Sequence, residues 1–437
     1  VSEDFSNKTC LVFDHGFFLP LARRLAAPGG FGRVLYYTPW EKGYPVLNEG
    51  IIGAGFGDII RCNDFWPLKK GIDLFVFPDI YHAGLQAELR AQGCRVWGTG
   101  AGMKLELDRE FFLKKLGELG LAVPPYKAIR GLSALADYLK DQKDQYIKVS
   151  LWRGSWETKH WRSWEEDAEK LDLWAVRLGG LKEHVPFLVF DQIKTKLEIG
   201  GDTYCVHGHW PATMLHGIEK KDEAYFAAVT DQREMPDELT HILDAFTPFL
   251  ASVDYSGQWS MEVRVTDDEA YFIDATTRGG LPSTASFLCA KNVPDVLYHG
   301  ADGELVEIDY GYKFSAECMV KIKGEPDAWA SFICPPELKP WLKVSDCCEL
   351  DGKLWFPSDG PPIEEIGWLV ATGDTPTEVA RKMNEQADLL PDGAEASVEA
   401  LADILREITV EQEAGIKFTD DEIPAPEIVL EPSSVAD

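Results

Sequence analysis

Two acidic side chains twelve residues apart, on segments that read as one hairpin, constrain this chain more than any other feature. Residues 259–265 and 270–274 have strand character on either side of the polar turn Thr266-Asp267-Asp268-Glu269,. A hairpin there places Glu262 and Asp274 on neighbouring strands, where opposed like charges destabilise unless something neutralises them. A divalent cation bridging the carboxylates is one solution, and hard oxygen ligands select Mg²⁺ or Mn²⁺. Thr276 and Arg278 follow Asp274 at i+2 and i+4, so carboxylate, hydroxyl and guanidinium are expected on one face,. Such a face suits Mg²⁺ with a polyphosphate. The alternative is a solvated hairpin bearing ordinary surface charges.

The remaining composition narrows the class of protein. Of 437 residues, 45% are hydrophobic, and 43 Lys and Arg stand against 73 Asp and Glu, a net charge of −30. That apolar content excludes disorder as the main state, and the length suggests about three folding units at roughly 150 residues each. The acidic surplus repels polyanions, so nucleic acid or an anionic metabolite needs a local pocket of Lys, Arg and metal. Nine scattered cysteines, the adjacent Cys347-Cys348 among them, lack metal-ligand spacing and read as reduced structural thiols,. The start is polar and acidic, and no apolar run approaches the ~20 residues that span a bilayer. A cytoplasmic protein is expected.

Along the first hundred residues, short apolar runs (9–13, 33–37, 73–77, 95–97) alternate with helical segments (19–26, 83–92), which predicts a small parallel α/β sheet,. Glycine clusters at 53–57 and 98–102 read as turns, since neither completes a dinucleotide fingerprint. A helix is expected over 108–119 with Gly120 as its stop, another over 132–140, and a strand over 146–149 that carries Lys148 in an apolar run,. That lysine either points to water from an edge strand or meets an anion. Residues 151–164 gather Trp152, Trp156, Trp161 and Trp164 with Arg153, Glu157, Thr158 and His160. They form either a base-stacking surface or a flap whose tryptophans pack on its own sheet. Strands at 187–193, 202–207, 259–265 and 270–274 with a helix at 238–250 make the centre another α/β unit. Strands at 314–322 and 367–372 and helices at 376–390 and 397–413 follow. The stretch 419–437, rich in Asp, Glu and Pro, reads as a flexible tail,. His207 and His209 flank Gly208 and either reach a substrate or serve the structure. The doublet Lys220-Lys221 either binds an acidic substrate or starts a solvated helix.

The acidic hairpin, with Tyr271-Phe272-Ile273 before the second acid, resembles the ATP-grasp superfamily, in particular its biotin carboxylase and phosphoribosylamine-glycine ligase branches. Asp274 stands where that pattern has Glu, and Thr276 where it has Asn. Asp108-Arg109, a helix and Leu119-Gly120-Leu121-Ala122-Val123-Pro124 resemble the family's Asp-Lys helix, with Arg109 in place of the lysine. Lys148 matches the lysine of the strand entering the lid, residues 150–158 occupy the lid position with Gly154 as their one glycine, and Phe187 to Ile193 resembles the adenine hinge. The resemblance implies an ATP-grasp fold of mixed α/β class with a parallel pre-ATP-grasp domain (1–105). It also implies a lid subdomain and hinge (106–195), a metal and phosphate subdomain (196–310), a small C-terminal α+β domain (311–418) and a tail (419–437).

It further implies an ADP-forming carboxylate-amine ligase using ATP and Mg²⁺ or Mn²⁺. Lys148 and Arg278 are then catalytic; Glu262, Asp274 and Thr276 hold metal. Arg109, Lys148, Arg153, Glu157, Thr158, Asp191, Gln192, Ile193, Glu198 and Asp202 bind nucleotide, and Lys220, Lys221 and Arg278 bind substrate. Partners are small carboxylates and amines, with a modified nucleotide acceptor and a homodimer also open. No membrane is expected. The glycine-poor lid, Arg109 and Thr276 leave a second reading: a degenerate nucleotide-binding module without turnover.

Overall fold

The structure is a computed structural model, and the described residues are 3–39, 52–149, 158–195, 197–323, 329–356, 363–415 and 417–425. Two sheets organise it around the acidic hairpin. The larger has fourteen strands among the described residues. Five of them run parallel, in the spatial order Val96–Gly98, Leu74–Phe77, Thr9–Phe13, Arg33–Tyr37 and Ile60–Arg61. These short runs are apolar on both faces because helices and the rest of the protein cover both sides, as parallel sheets require,. The chain leaves Thr9–Phe13 on one side and later returns on the other, so strand order reverses there. A crevice for ligands opens at such a reversal, beyond the carboxyl ends of the strands.

A single bridge, Ser256 to Gly98, joins this layer to an antiparallel one. There Ser256–Val265 pairs with Ala270–Thr276 on one side and Leu197–Val206 on the other, followed by Thr213–Lys220, Ala224–Asp231, Phe314–Lys323, Ile363–Gly373 and Leu342–Val344. Helix Asp237–Ser252 covers one face through Leu239, Leu243 and Phe246, which pack with Trp259 and Phe272. Helix Val398–Glu413 packs with strands Thr213–Lys220 and Ala224–Asp231.

The second sheet has four strands, ordered Tyr126–Arg130, Pro186–Asp191, Gln145–Val149 and Thr158–Trp161. Helices Leu132–Leu139 and Glu169–Leu178 back it, burying Leu135, Leu139, Trp174 and Phe187. Trp161 is 1% exposed in this core, so it is structural and offers no face to a base, and the half-buried Trp164 packs beside it. Burying their rings removes far more apolar surface from water than a solvated flap would. Trp152, Trp156, Arg153 and Glu157 lie outside the described residues.

Most predicted elements stand within one or two residues of their expected bounds, but the basic doublet does not start a helix. Lys220 ends a strand, and Thr213–Lys220 with Ala224–Asp231 forms a hairpin. Both faces of that hairpin are covered, so Met214 to Ile218 is buried without interruption and lacks the period-two alternation that marks a half-exposed strand,. Among the described residues no helix is long and apolar enough to cross a membrane.

Near the end of the described chain, Phe418 seals this region. It is 3% exposed, with ring centroids 4.8 Å from His216 and 6.1 Å from Phe226. His216 is wholly buried, and burial pushes its imidazole down to about 4, so it packs as a neutral ring,. Phe418→Ala is expected to cost about 3 kcal/mol of unfolding free energy, measured by urea melts.

Candidate active site

An unbroken hairpin cannot bring Glu262 and Asp274 face to face. Val265 pairs with Ala270 and Val263 with Phe272, and that register, continued unchanged, would oppose Glu262 to Ile273. A bulge at this point inserts Ile273 as an unpaired residue, and Glu262 pairs with Asp274 instead,. The burial pattern records the shift. Buried positions on Ala270–Thr276 fall at Phe272 and Ala275, three residues apart, so Asp274 and Thr276 share the side of Glu262. On the other flank, Gly200 lies opposite Glu262 and Gly217 lies opposite Gly200. Two glycines in register allow close packing beside the acids: the Tyr225 ring and the Gly217 carbonyl stand where Cβ atoms at Gly217 and Gly200 would lie.

Asp274 is held by cations from two distant elements. Arg109, at the first turn of helix Arg109–Glu118, makes a two-pronged ion pair with it, one prong at 3.2 Å, and its side chain is 6% exposed. Asp108 caps that helix by accepting from the Phe111 amide at 3.0 Å, which fixes where Arg109 emerges,. Lys148, on the inner strand Gln145–Val149, reaches Asp274 Oδ2 at 3.4 Å. Its sheet neighbour in register is Thr158. Burial pushes the Asp274 carboxyl up, but Arg109 and then Lys148 override it and hold it well below the ordinary carboxylate range,.

Glu262 is in the opposite state. Burial, the neighbouring Glu198 with which it shares a hydrogen bond, Asp274 and Glu219 all push its carboxyl well up. Arg264 compensates little: its guanidinium is 2.9 Å from Glu198 but 3.9 Å from Glu262. Arg278 is anchored by Glu106, which accepts from its Nε at 2.9 Å and from the Thr277 amide at 2.8 Å. Asp202 is buried and bonded to the Tyr225 hydroxyl at 2.6 Å, with Ser260 and Ser283 also donating.

Most of these groups line one cavity of about 1310 Å³, which extends to His15 and His82 at the reversal point of the parallel strands. The imidazoles of His15 and His82 approach to 2.8 Å. Glu219 lines the same space with its side chain open to solvent; the cavity walls, then Asp202 and Glu198, push its carboxyl up. Lys221 lines the cavity. Lys220 also borders it, though its ammonium is tied to Asp403 at 2.8 Å and Glu223 at 3.0 Å. The structure therefore gathers Arg109, Glu198, Asp202, Glu262, Asp274, Thr276 and Arg278 around the cavity, with Lys148 joined to them through Asp274. It does not bring in Asp191, Gln192 or Ile193: Asp191 accepts from Gln145 at 2.9 Å, and none of the three is among the described residues lining the cavity. His207 and His209 sit in a turn and do not line it either.

Sequence reasoning missed Glu106, Glu219, Glu407 and Glu411. The last was legible: on Val398–Glu413 the buried stripe runs Leu401, Ile404, Ile408, and Glu411 continues it at helical spacing,. Glu411 is 2% exposed, neither of its carboxylate oxygens has a hydrogen-bond partner among the described residues, and it lines the cavity.

By sequence, no protein-family model and no curated protein matches this chain. Solved structures do match. Phosphoribosylamine–glycine ligase from Thermotoga maritima superposes with a TM-score of 0.62 at 16% identity, covering 89% of this chain and 98% of its own. The biotin carboxylase domain of 2-oxoglutarate carboxylase from Hydrogenobacter thermophilus, a dimer in complex with MgADP, ADP and bicarbonate, gives 0.64 at 12% identity over 94% and 96%. N5-carboxyaminoimidazole ribonucleotide synthetase from Thermus thermophilus gives 0.57 at 14% identity over 88% and 99%. The fold is the ATP-grasp fold.

A hard dication fits the donor set in kind. Glu262 and Asp274 are paired oxygen donors on one face, and Glu262 has Glu198, Asp274 and Glu219 around it with the Arg264 guanidinium 3.9 Å away,. Asp274 already satisfies its charge through Arg109 and Lys148, and among the described residues no three His, Cys, Asp or Glu side chains converge as a ready-made metal cage.

Two outcomes test these electrostatics. Arg109→Ala, which leaves Asp274 with Lys148 as its cation, is expected to cost about 3 kcal/mol at pH 7 in urea melts. Asp274 is ordinarily near 3.8 and is depressed in the folded state. Its stabilising contribution is therefore present above that value and lost as pH falls below it, so the cost of the substitution shrinks toward pH 3,. Glu411 has the reverse sign. Burial, then Glu407, raises it from 4.5 to about 8, so its stabilising contribution is complete below 4.5 and lost as pH rises through 8,. Glu411→Gln is expected to lose less stability than the parent between pH 5 and 9, by on the order of 2 kcal/mol.

Proposed function

We propose that this protein is an ATP-dependent, ADP-forming ligase that activates a carboxylate as an acyl phosphate for capture by an amine. The observation that carries the proposal is Asp274, paired in register with Glu262 and bonded at once to Arg109 and Lys148 on the floor of the cavity. Two carboxylates and at least three cations around one open floor suit a triphosphate and its metal better than they suit any covalent nucleophile, because phosphoryl transfer depends on positioning and charge neutralisation.

Lys148, Arg109 and Thr158 bind and orient the phosphates in this reading. Glu262 and Asp274, with the Thr276 hydroxyl beside them, would hold Mg²⁺, which when bound neutralises the β and γ oxygens. Arg278, fixed by Glu106, faces charge developing on the transferred group. The substrate carboxylate attacks the γ phosphorus, the bond to the β-bridging oxygen breaks, and ADP leaves. An amine then attacks the acyl carbon, the bond to phosphate oxygen breaks, and phosphate departs with the proton the nitrogen releases. The walls exclude water that would otherwise hydrolyse the acyl phosphate.

One observation favours a second reading. Both oxygens of Asp274 are occupied by the chain's own cations, an arrangement also suited to nucleotide binding without turnover. ADP release separates the two. For a ligase, release requires both a carboxylic acid and an amine, and Glu262→Ala or Asp274→Ala lowers kcat by about 10² or more. ATP bound with Mg²⁺ but unchanged in the presence of every acid and amine pair would select the binding module instead.

A further inference from the structure

The ligase reading leaves most of the cavity unassigned. At about 1310 Å³ it exceeds the roughly 300–1,000 Å³ of a single small-molecule pocket, so a second ligand has room beside the nucleotide,. The phosphate-binding cations lie at the hairpin end. The facing wall, made by strand Thr213–Lys220 and helix Val398–Glu413, is acidic: Glu219 from the strand, Glu407 and Glu411 from one face of the helix. Counted over the whole cavity, ten carboxylates stand against five lysine and arginine side chains. The nearest cations do not make up the difference. Lys220 is committed to Asp403 and Glu223, Arg406 to Asp403, and Arg264 to Glu198. Lys221 is left to act on Glu219, which also feels Asp202, Glu198 and Asp222.

Glu411 decides what such a wall is for. A carboxylate that is 2% exposed with both oxygens unpartnered among the described residues is costly to keep unless a ligand completes it,. Carboxylates spread along a wall match several cationic centres separated by spacers. Val410, 53% exposed yet lining the cavity between Glu407 and Glu411, and Ile218 opposite offer apolar surface for methylene spacers.

We infer that the wall formed by Glu219, Glu407 and Glu411 receives a polyamine, an extended organic cation with two or more ammonium groups, as the amine acceptor. The inference rests on the ligase reading for the word acceptor, though not for the binding itself. One terminal nitrogen, as free amine, reaches the acyl carbon and forms the amide described above; the remaining ammonium groups stay protonated on the carboxylates. A phosphorylated amine would meet repulsion along the same wall.

Calorimetric titration of spermidine into the full chain without nucleotide tests this. Saturable binding is expected, weakened about tenfold or more in the double variant Glu219→Gln and Glu411→Gln and in Glu407→Lys, and weakened in Glu411→Gln alone with MgATP binding unchanged in that single variant. Spermidine binding that is absent, or equal in parent and variants, would overturn the inference, as would tighter binding of O-phosphoethanolamine. Mg²⁺ titrated alone and lost in the double variant would overturn it in favour of a metal site. A parent that binds spermidine through these carboxylates yet forms no ADP supports the wall as a polyamine site and refutes the ligase reading alone.

Discussion

One carboxylate ties the protein together at its working centre. Asp274 belongs to the large sheet, Arg109 to the helix that precedes the four-stranded sheet, and Lys148 to that sheet itself, separated from Asp274 by 165 and 126 residues of sequence. A half-buried acid with two such partners offsets the cost of desolvating the three charges only when all three elements are in place,. Its neighbour Glu262, twelve residues earlier and directly across the hairpin, has no comparable relief. The same floor therefore contains one satisfied and one unsatisfied carboxylate. That asymmetry sets up a place where incoming phosphate can compete for cations while an incoming dication finds an acid ready for it.

Most of the scaffold was legible because it depends on local pattern. Thr9–Phe13, Leu19–Ala26 and Arg33–Tyr37 have the expected bounds, and Asp108 announces the Arg109 helix as a capping residue. Strands buried on both faces were harder. Thr213–Lys220 has no polar face, so its period disappears, and its terminal lysines resembled a solvated helix start. Within the site, Arg109, Lys148, Glu262, Asp274 and Arg278 were found through their spacing and family pattern. Glu106 was not, since its importance comes from its bond to Arg278, a partner 172 residues away. The expected hinge positions Asp191 to Ile193 fell outside the cavity because Asp191 is drawn to Gln145 at the edge of its own sheet.

The acidic wall shows how global charge becomes local chemistry. A net charge of −30 spread over a surface repels anions weakly at any one point, screened within a Debye length,. Concentrated in a cavity with low-dielectric walls, the same sign focuses the field on whatever enters. With ten carboxylates against five lysine and arginine side chains on its lining, the cavity concentrates cations more strongly than the surface at large.

The bulge at Ile273 carries a consequence of its own. The side from which Asp274 emerges is decided by a count of residues rather than by the identity of any side chain. Were Ile273 drawn into the ladder opposite Glu262, the acid would turn into the apolar layer occupied by Phe272 and Ala275; deleting it would leave Asp274 next after Phe272 and still opposite Glu262. The position tolerates any residue, or none, so long as the one that follows Phe272 on the side of Glu262 is the acid.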